Sequence, residues 1–319
     1  MTTHLAAAPA FVPHDHPFTP FDEEPPADAA AFRALPPPDE MLPPAPAEGS
    51  EFRHRVGVRP LDASRWLPRD AETAPTSAMT RRLGAGRRDE VVAALDDGRA
   101  AALGLAPGLV AAAAEEAGRL VAEWCGAPTA STGLDALVDA ALLTADDLTV
   151  LAPTPTGGLV FVAGVVCAPS RWRLADKIGH DMLTVHAPVA RYGDHIGGAV
   201  DTLLDRLSAE RPVWRSNWTL EDHPALFQPA VPRAPLGREP ADLWIRMERE
   251  TLRRLPRTGG VLFTIRGFQQ PLRDYVARGP EVARTLRALV ARLPEDVARY
   301  KSVFAYRDAV LAWLDSLAA

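Results

Sequence analysis

The chain has 319 residues, of which 47% are hydrophobic and 24% are charged, and these are ordinary values for a folded globular protein. Its formal net charge of −6 argues against a broad cationic surface for nucleic acid or anionic lipid, because binding to such partners depends on neutralising phosphate charge. Its two cysteines, Cys125 and Cys167, exclude a disulfide framework, a four-cysteine zinc site and an iron–sulfur cluster. The length allows one large domain or two modest ones.

Proline is concentrated near the N-terminus. The sequence has 31 prolines, and segment 36–46, PPPDEMLPPAP, holds them at a density that excludes a helix and favours an extended backbone. We therefore predict a proline-rich tail over 1–51 and a folded domain over 52–319. No basic start precedes the first apolar run and no apolar stretch is long enough to cross a bilayer. These features predict a cytoplasmic protein with no membrane partner.

The first half of the domain is predicted to be mainly helical. Alanine-rich segments with apolar residues at helical spacing predict helices over 86–104, 108–126 and 134–143. Two apolar runs follow, at 148–151 and 159–166, and the sequence Pro-Thr-Pro-Thr-Gly-Gly between them favours a turn. This pattern predicts a β-hairpin after the helices.

The second half is predicted to contain one helix, three strands and two further helices. Apolar spacing predicts the first helix over 191–207. Three β-prone runs follow, and the last two are separated by the turn sequence Arg-Thr-Gly-Gly; the runs are 212–220, 242–252 and 261–268. The final helices are predicted over 280–293 and 295–317. Strands joined by short turns favour an antiparallel sheet with flanking helices, so we predict one α+β domain.

The candidate chemistry begins with a histidine. The sequence has no G-x-S-x-G, G-x-x-x-x-G-K-[ST], H-E-x-x-H or G-x-G-x-x-G motif, so it does not indicate a hydrolase or a nucleotide enzyme. His186 lies between apolar residues, and Pro188 restricts the backbone after it. A neutral imidazole there is either a ligand for a metal or haem iron or a structural histidine. His180 and His195 have more polar neighbours and are expected to be exposed.

Two strands carry the other candidates. Asn217 can offer its amide to a buried partner and Trp218 can form a flat apolar wall, although a strand that packs its tryptophans into a core has the same sequence. Within 242–252, alternation places Arg246, Glu248 and Glu250 on one strand face. This row is either a solvated edge or an ion-paired network that lines a polar pocket.

Taken together, these segments resemble a known family. Four motifs occur in the order found in haem-dependent oxidative N-demethylase, alpha-subunit-like proteins: SRWRLADKIG at 170–179, HAPV at 186–189, RSNWT at 215–219 and RMERETL at 246–252. Each motif is weak alone, whereas their ordered combination is specific. The resemblance covers about 52–300.

The resemblance implies a PAS-like α+β fold that binds a non-covalent haem b, with its iron held by a histidine. It implies O2-dependent removal of a methyl group from a small amine, with release of formaldehyde. Electrons would come from NADPH through separate flavin and iron–sulfur reductase chains. The iron ligand would be His186. Arg246 and Arg266 would contact the haem propionates, and Trp218 would form an apolar wall. Substrate binding and proton transfer would fall to Glu248, Glu250 and Asn217.

Three positions depart from the family's pattern. Ala190 stands where the family has a proline, Glu250 replaces a glutamine, and Arg266-Gly267-Phe268 replaces a segment that ends in Thr-Tyr. A tyrosine hydroxyl that could have lined the site is therefore missing from that segment. A second carboxylate at position 250 suits a more basic substrate, so haem-dependent N-hydroxylation of an amine or guanidine is an alternative. A non-catalytic haem-based sensor is a second alternative, because PAS-like folds often bind ligands in order to signal.

Overall fold

A computed structural model describes residues 37–317 apart from Pro38, Glu48, Glu72 and residues 231–236. Most of the predicted proline-rich tail, over 1–36, lies outside the described residues. Seven strands are present in the described chain: β1 (Arg59–Pro60), β2 (Val92–Ala94), β3 (Asp147–Pro153), β4 (Leu159–Val165), β5 (Val213–Glu221), β6 (Trp244–Arg254) and β7 (Val261–Pro271). The same residues form eleven α-helices: α1 (Thr73–Gly86), α2 (Arg88–Val91), α3 (Asp97–Ala102), α4 (Leu109–Trp124), α5 (Gly133–Ala141), α6 (Met182–Val185), α7 (Gly198–Arg206), α8 (Leu272–Val276), α9 (Pro280–Ala291), α10 (Glu295–Tyr300) and α11 (Arg307–Leu317).

The strands form one antiparallel sheet in the order β1-β5-β6-β7-β3-β4-β2. The predicted α+β class and the antiparallel sheet with flanking helices are confirmed. The predicted hairpin corresponds to β3 and β4, and the three later strands form the meander β5-β6-β7. These strands were predictable because alternation and turn sequences are local signals.

Two helix predictions are wrong in part. Within 86–104, residues 92–94 form strand β2, which pairs with β4. Val92 is β-branched, and the backbone N–H and C=O groups of this segment find hydrogen-bond partners on the free edge of β4. Within 295–317, the helix stops at Tyr300 and restarts at Arg307. Ser302 between them has a positive φ of 57°, which a continuous helix excludes.

Part of the segment predicted as tail packs on the domain. Met41 is buried in a core cluster, and its carbonyl accepts a hydrogen bond of 2.8 Å from the Ser216 hydroxyl on β5. The Arg292 side chain donates to the carbonyls of Ser50 and Glu51. The domain boundary at 51/52 stays a prediction, and Met41, Ser50 and Glu51 of the predicted tail contact the folded domain.

The two faces of the β5–β6–β7 meander differ in chemistry. One face carries Trp218, Ile245 and Met247, which pack in a core cluster with apolar residues of α8 to α11. The other face, which we call the polar face, carries Arg215 and Asn217 on β5, directly opposite Glu250 and Glu248 on β6. The predicted placement of Arg246, Glu248 and Glu250 on one face is confirmed by this register.

No helix within the described part of the chain is long and apolar enough to cross a membrane.

A close helix contact gives a stability prediction. A Cβ atom added at Gly118 on α4 would lie 2.3 Å from the carbonyl oxygen of Ala136 on α5, far inside van der Waals contact. We expect Gly118→Ala to lower the free energy of unfolding by about 1–3 kcal/mol, because the two helices must separate. Urea denaturation monitored by circular dichroism measures this change.

Gly84 supplies the control for that measurement. It lies in α1 with nothing within 4 Å of an added Cβ, so Gly84→Ala is expected to raise the free energy of unfolding by about 0.5–1 kcal/mol through helix propensity. Equal gains in stability from the two substitutions would contradict the close α4–α5 contact.

Candidate functional site

His186 lies directly after the short helix α6. This helix begins after Asp181, whose carboxylate accepts a hydrogen bond of 2.8 Å from the Thr184 backbone N–H, a typical N-cap. The ring Nδ1 of His186 lies 2.8 Å from the carbonyl oxygen of Met182. Because a carbonyl can only accept, Nδ1 carries the proton and Nε2 keeps its lone pair. This tautomer and this fixed ring are what a histidine ligand requires.

The His186 imidazole is neutral. Burial, aided by the positive charges of Lys177 and Arg215 and opposed by the Met182 hydrogen bond, lowers its pKa to about 4. Its ring stacks on the ring of Tyr192 with a centroid distance of 4.4 Å and an interplanar angle of 7°. The stack and the Met182 hydrogen bond together hold the ring plane, and the free lone pair of Nε2 can bind a metal.

Tyr192 has a buried hydroxyl without a partner among the described residues. The residue is only 5% exposed, its Oη makes no hydrogen bond within that part of the chain, and burial raises its pKa to about 12. We expect Tyr192→Phe to raise the free energy of unfolding by about 1 kcal/mol, because it removes an unsatisfied polar group and keeps the ring stack. Thermal denaturation of the two proteins measures the difference.

Tyr306→Phe is the matched control. Tyr306 is also buried, but its hydroxyl bonds to the Asp222 carboxylate at 3.1 Å. Loss of that bond is expected to lower the free energy of unfolding by about 1 kcal/mol. Equal losses of stability in both variants would show that the Tyr192 hydroxyl is bonded after all.

The polar face forms the second part of the site. Arg215 Nη1 donates to Glu250 Oε2 at 2.8 Å, and Asn217 Nδ2 donates to Glu248 Oε2 at 3.2 Å. Burial raises the pKa of Glu250, the charge of Glu248 adds to this, and Arg215 opposes it. The row predicted from strand alternation is therefore a paired network, not a solvated edge.

Lys301 and Tyr300 complete this network from the end of α10. Lys301 Nζ donates to Asn217 Oδ1 at 3.0 Å and to the Trp218 carbonyl at 2.6 Å, and burial, aided by the charge of Arg215, lowers its pKa to about 8. Tyr300 keeps 42% of its surface exposed, yet burial and the charges of Glu248 and Glu250 raise the pKa of its hydroxyl.

Lys301 and Tyr300 were missed from the sequence, because their segment has the apolar spacing of an ordinary helix. Lys301 adds an ammonium group to a site where the strand sequences indicated carboxylates, an arginine and an amide.

Arg215 connects the two parts of the site. Its positive charge lowers the pKa values of His54 and His186, and it pairs with Glu250 on the other side. The segment after His186 is also tied to α10, because Arg191 Nε lies 2.7 Å from the carboxylate of Asp296. The segment after His186 is thus joined by an ion pair to α10, after which Lys301 reaches Asn217 on the polar face.

Two further histidines support the segment that follows His186. His54 Nε2 lies 2.8 Å from the Ala190 carbonyl, to which it donates, and the His54 backbone N–H donates to Nδ1 of His195 at 3.3 Å. His195, expected to be exposed, is partly buried against the Phe52 ring. His54 was missed because its sequence neighbours, Arg53 and Arg55, indicate only a charged loop.

The structure does not bring the remaining candidates to this region. Trp218 packs in the core cluster on the opposite face of the sheet. Arg266 also lies on that opposite face, since its β6 partner is Arg249, and it pairs with the Asp70 carboxylate at 2.8 and 2.6 Å. An apolar wall formed by Trp218 and a propionate contact of Arg266 do not fit this placement.

Arg246 shares the polar face but its guanidinium is already used. It is 1% exposed and donates to the carbonyls of Leu226 and Ala168 at 3.1 and 2.6 Å. The Glu221 carboxylate, equally buried, lies 3.7 Å away. Its contacts are those of a structural residue, so the expected propionate contact does not fit here either.

A family model described as haem-dependent oxidative N-demethylase, alpha subunit-like, matches residues 57–311. The chain belongs to this family. The resemblance expected from the four motifs is thereby confirmed. The match contains the whole site except His54, and the family's description names haem-dependent oxidation and an alpha subunit, which implies a second subunit.

The residues of the site fit a haem. Among the residues that the structure describes, no group of three or more His, Cys, Asp or Glu side chains could hold a bare metal ion. A haem iron takes four ligands from the porphyrin, so one neutral histidine with a fixed ring is a sufficient protein ligand. His186 meets this requirement through its free Nε2 and its Nδ1 bond to Met182.

Proposed function

We propose that this protein is a haem-dependent monooxygenase that removes a methyl group from an amine and releases formaldehyde. The observation that carries the proposal is the neutral imidazole of His186, with Nδ1 bonded to Met182 and Nε2 free. The bound group is a non-covalent haem b, because no Cys-x-x-Cys-His motif for covalent attachment occurs. The family membership supports the same chemistry.

When bound, the haem supplies O2 activation and the oxidation of the carbon next to the substrate nitrogen. The chain's own residues bind the amine and move protons. Glu248 uses one oxygen on Asn217, and its other oxygen makes no hydrogen bond within the described chain. That free oxygen accepts from the substrate nitrogen, and the Asn217 amide orients the carboxylate.

Two groups of the network can move a proton near neutral pH. Lys301 has a pKa of about 8, and the raised pKa of Glu250 lets this carboxyl group hold a proton more readily than an exposed one. General acid catalysis works best with groups whose pKa lies near the working pH, so these residues are suited to deliver protons.

The proposal extends to the fold and the partners. A PAS-like arrangement is supported by the order of the five longest strands, in which the β3–β4 hairpin lies beside the last strand of the β5–β6–β7 meander. Electrons come from separate NADPH-dependent flavin and iron–sulfur reductase chains. The chain's two cysteines, both buried, are too few for a cluster of its own.

One experiment tests the function against its two alternatives. The protein is titrated with haemin, and the product is then incubated with O2, a surrogate reductase and a panel of methylated amines. A Soret band with formaldehyde and demethylated amine supports the proposal. Hydroxylated product without formaldehyde would favour N-hydroxylation, reversible O2 binding without turnover would favour the sensor, and the absence of haemin binding would overturn all three.

A further inference from the structure

The charges of the site do not add up to an acidic pocket. Two carboxylates, Glu248 and Glu250, face two basic groups, Arg215 and Lys301. A bare ammonium substrate would therefore add an uncompensated positive charge to a partly buried site, which is energetically unfavourable.

Arg215 has hydrogen-bonding capacity left over. Its Nη1 bonds to Glu250, whereas Nε and Nη2 make no hydrogen bond to any residue that the structure describes. The side chain remains 30% exposed. A guanidinium has five donors in a planar fork that matches a carboxylate in a bidentate pair.

Arg215 lies where its remaining hydrogen-bond donors can reach a ligand of the site. The residue lies on the polar face of β5 opposite Glu250, two residues before Asn217, which bonds to Glu248. A ligand group on Arg215 would therefore lie on the polar face beside Glu250, with Glu248 two residues along the same strand face.

We propose that Arg215 is the carboxylate-binding residue of this site. Two ligands can bring that carboxylate: an N-methylated amino acid as substrate, or the haem through a propionate. In the first case the substrate ammonium binds Glu248 and its carboxylate binds Arg215, so the site stays close to neutral. The inference rests on the proposed function for the identity of the ligand, but the chemistry that Arg215 recognises does not depend on turnover.

The test compares matched probes in each protein. Haemin is compared with haemin dimethyl ester, which lacks the propionate charges, by Soret titration. N,N-dimethylglycine is compared with dimethylamine by calorimetric titration of the protein with and without haem. Arg215→Lys keeps the charge and removes the fork, Arg215→Met removes both, and Arg284→Met on α9, an exposed residue paired with Glu281, is the control.

In one of the two pairs, we expect the probe with a carboxylate to bind the wild-type protein about 10- to 100-fold more tightly than the probe without it. The pairs are haemin with haemin dimethyl ester, and N,N-dimethylglycine with dimethylamine. This preference should be lost in Arg215→Lys and retained in Arg284→Met. If the Arg215 variants lose the preference for haemin over its dimethyl ester, Arg215 binds a propionate. If they lose the preference for N,N-dimethylglycine over dimethylamine, Arg215 binds the substrate carboxylate. Preferences that are absent, or unchanged by both Arg215 substitutions, overturn the proposal.

The two proposals can fail separately. If the wild-type protein binds no haemin, the proposed function is wrong, and the binding of N,N-dimethylglycine to the haem-free protein still tests Arg215. If haemin binds and formaldehyde is released without dependence on Arg215, only the present inference is overturned. Ratios within one protein are compared, so a partial loss of stability in Arg215→Met does not affect the result.

Discussion

His186→Ala is expected to abolish the Soret spectrum of the haemin-bound protein or to weaken haemin binding by at least about 100-fold. The physical reason is that the substitution removes a nitrogen lone pair that the structure fixes for a ligand, Nε2 of a neutral ring bonded to Met182 through Nδ1. Replacing a residue that only hydrogen-bonds to a metal ligand lowers metal affinity by about 10–100-fold. Removing the ligand itself is expected to lower the affinity more. Absorbance titration with haemin measures this effect.

His180→Ala is the control, because His180 is a neighbouring histidine that the sequence predicts to be exposed. Its spectrum should equal that of the wild-type protein. Added imidazole should restore the spectrum of His186→Ala, since it can occupy the volume of the lost ring. An unchanged spectrum in His186→Ala would place the ligand elsewhere, and His54 and His195 would be the next residues to replace.

The second large effect is expected at Arg246. Arg246→Met should lower the free energy of unfolding by about 3–5 kcal/mol, because it leaves the buried carboxylate of Glu221 without its cation and the carbonyls of Leu226 and Ala168 without their donor. Chemical denaturation measures the loss. Haemin binding by the folded fraction should be retained, since Arg246 is bonded away from the site.

Arg273→Met provides the comparison for an exposed pair. Arg273 is 58% exposed and lies 2.9 Å from the carboxylate of Asp242, and surface pairs of this kind contribute about 0–1 kcal/mol. If Arg246→Met were as mild as Arg273→Met but lost haemin binding, Arg246 would be a propionate contact and not a structural residue.

Much of the fold follows from local sequence signals. The hairpin β3–β4, the meander β5–β6–β7 and the helices α4, α5 and α9 all carry clear periodicity or turn sequences, and they occur where they were predicted. Strand β2 could not be predicted in this way, because residues 92–94 become a strand only by pairing with the edge of β4. The break after Tyr300 is equally non-local, because Lys301 leaves the helix to bond Asn217 and the Trp218 carbonyl.

For the site, the sequence by itself determined which residue types lie together on one strand and which histidine has a restricted backbone. Alternation put Glu248 and Glu250 on one face, and the motif around His186 indicated a ligand. The tertiary structure alone decided the partners. Arg215 neutralises Glu250, Lys301 arrives from α10, and Arg266 turns to Asp70 on the opposite face. The physical reason is that the pKa, charge balance and free hydrogen-bonding capacity of a buried group depend on contacts from distant segments, which periodicity does not encode.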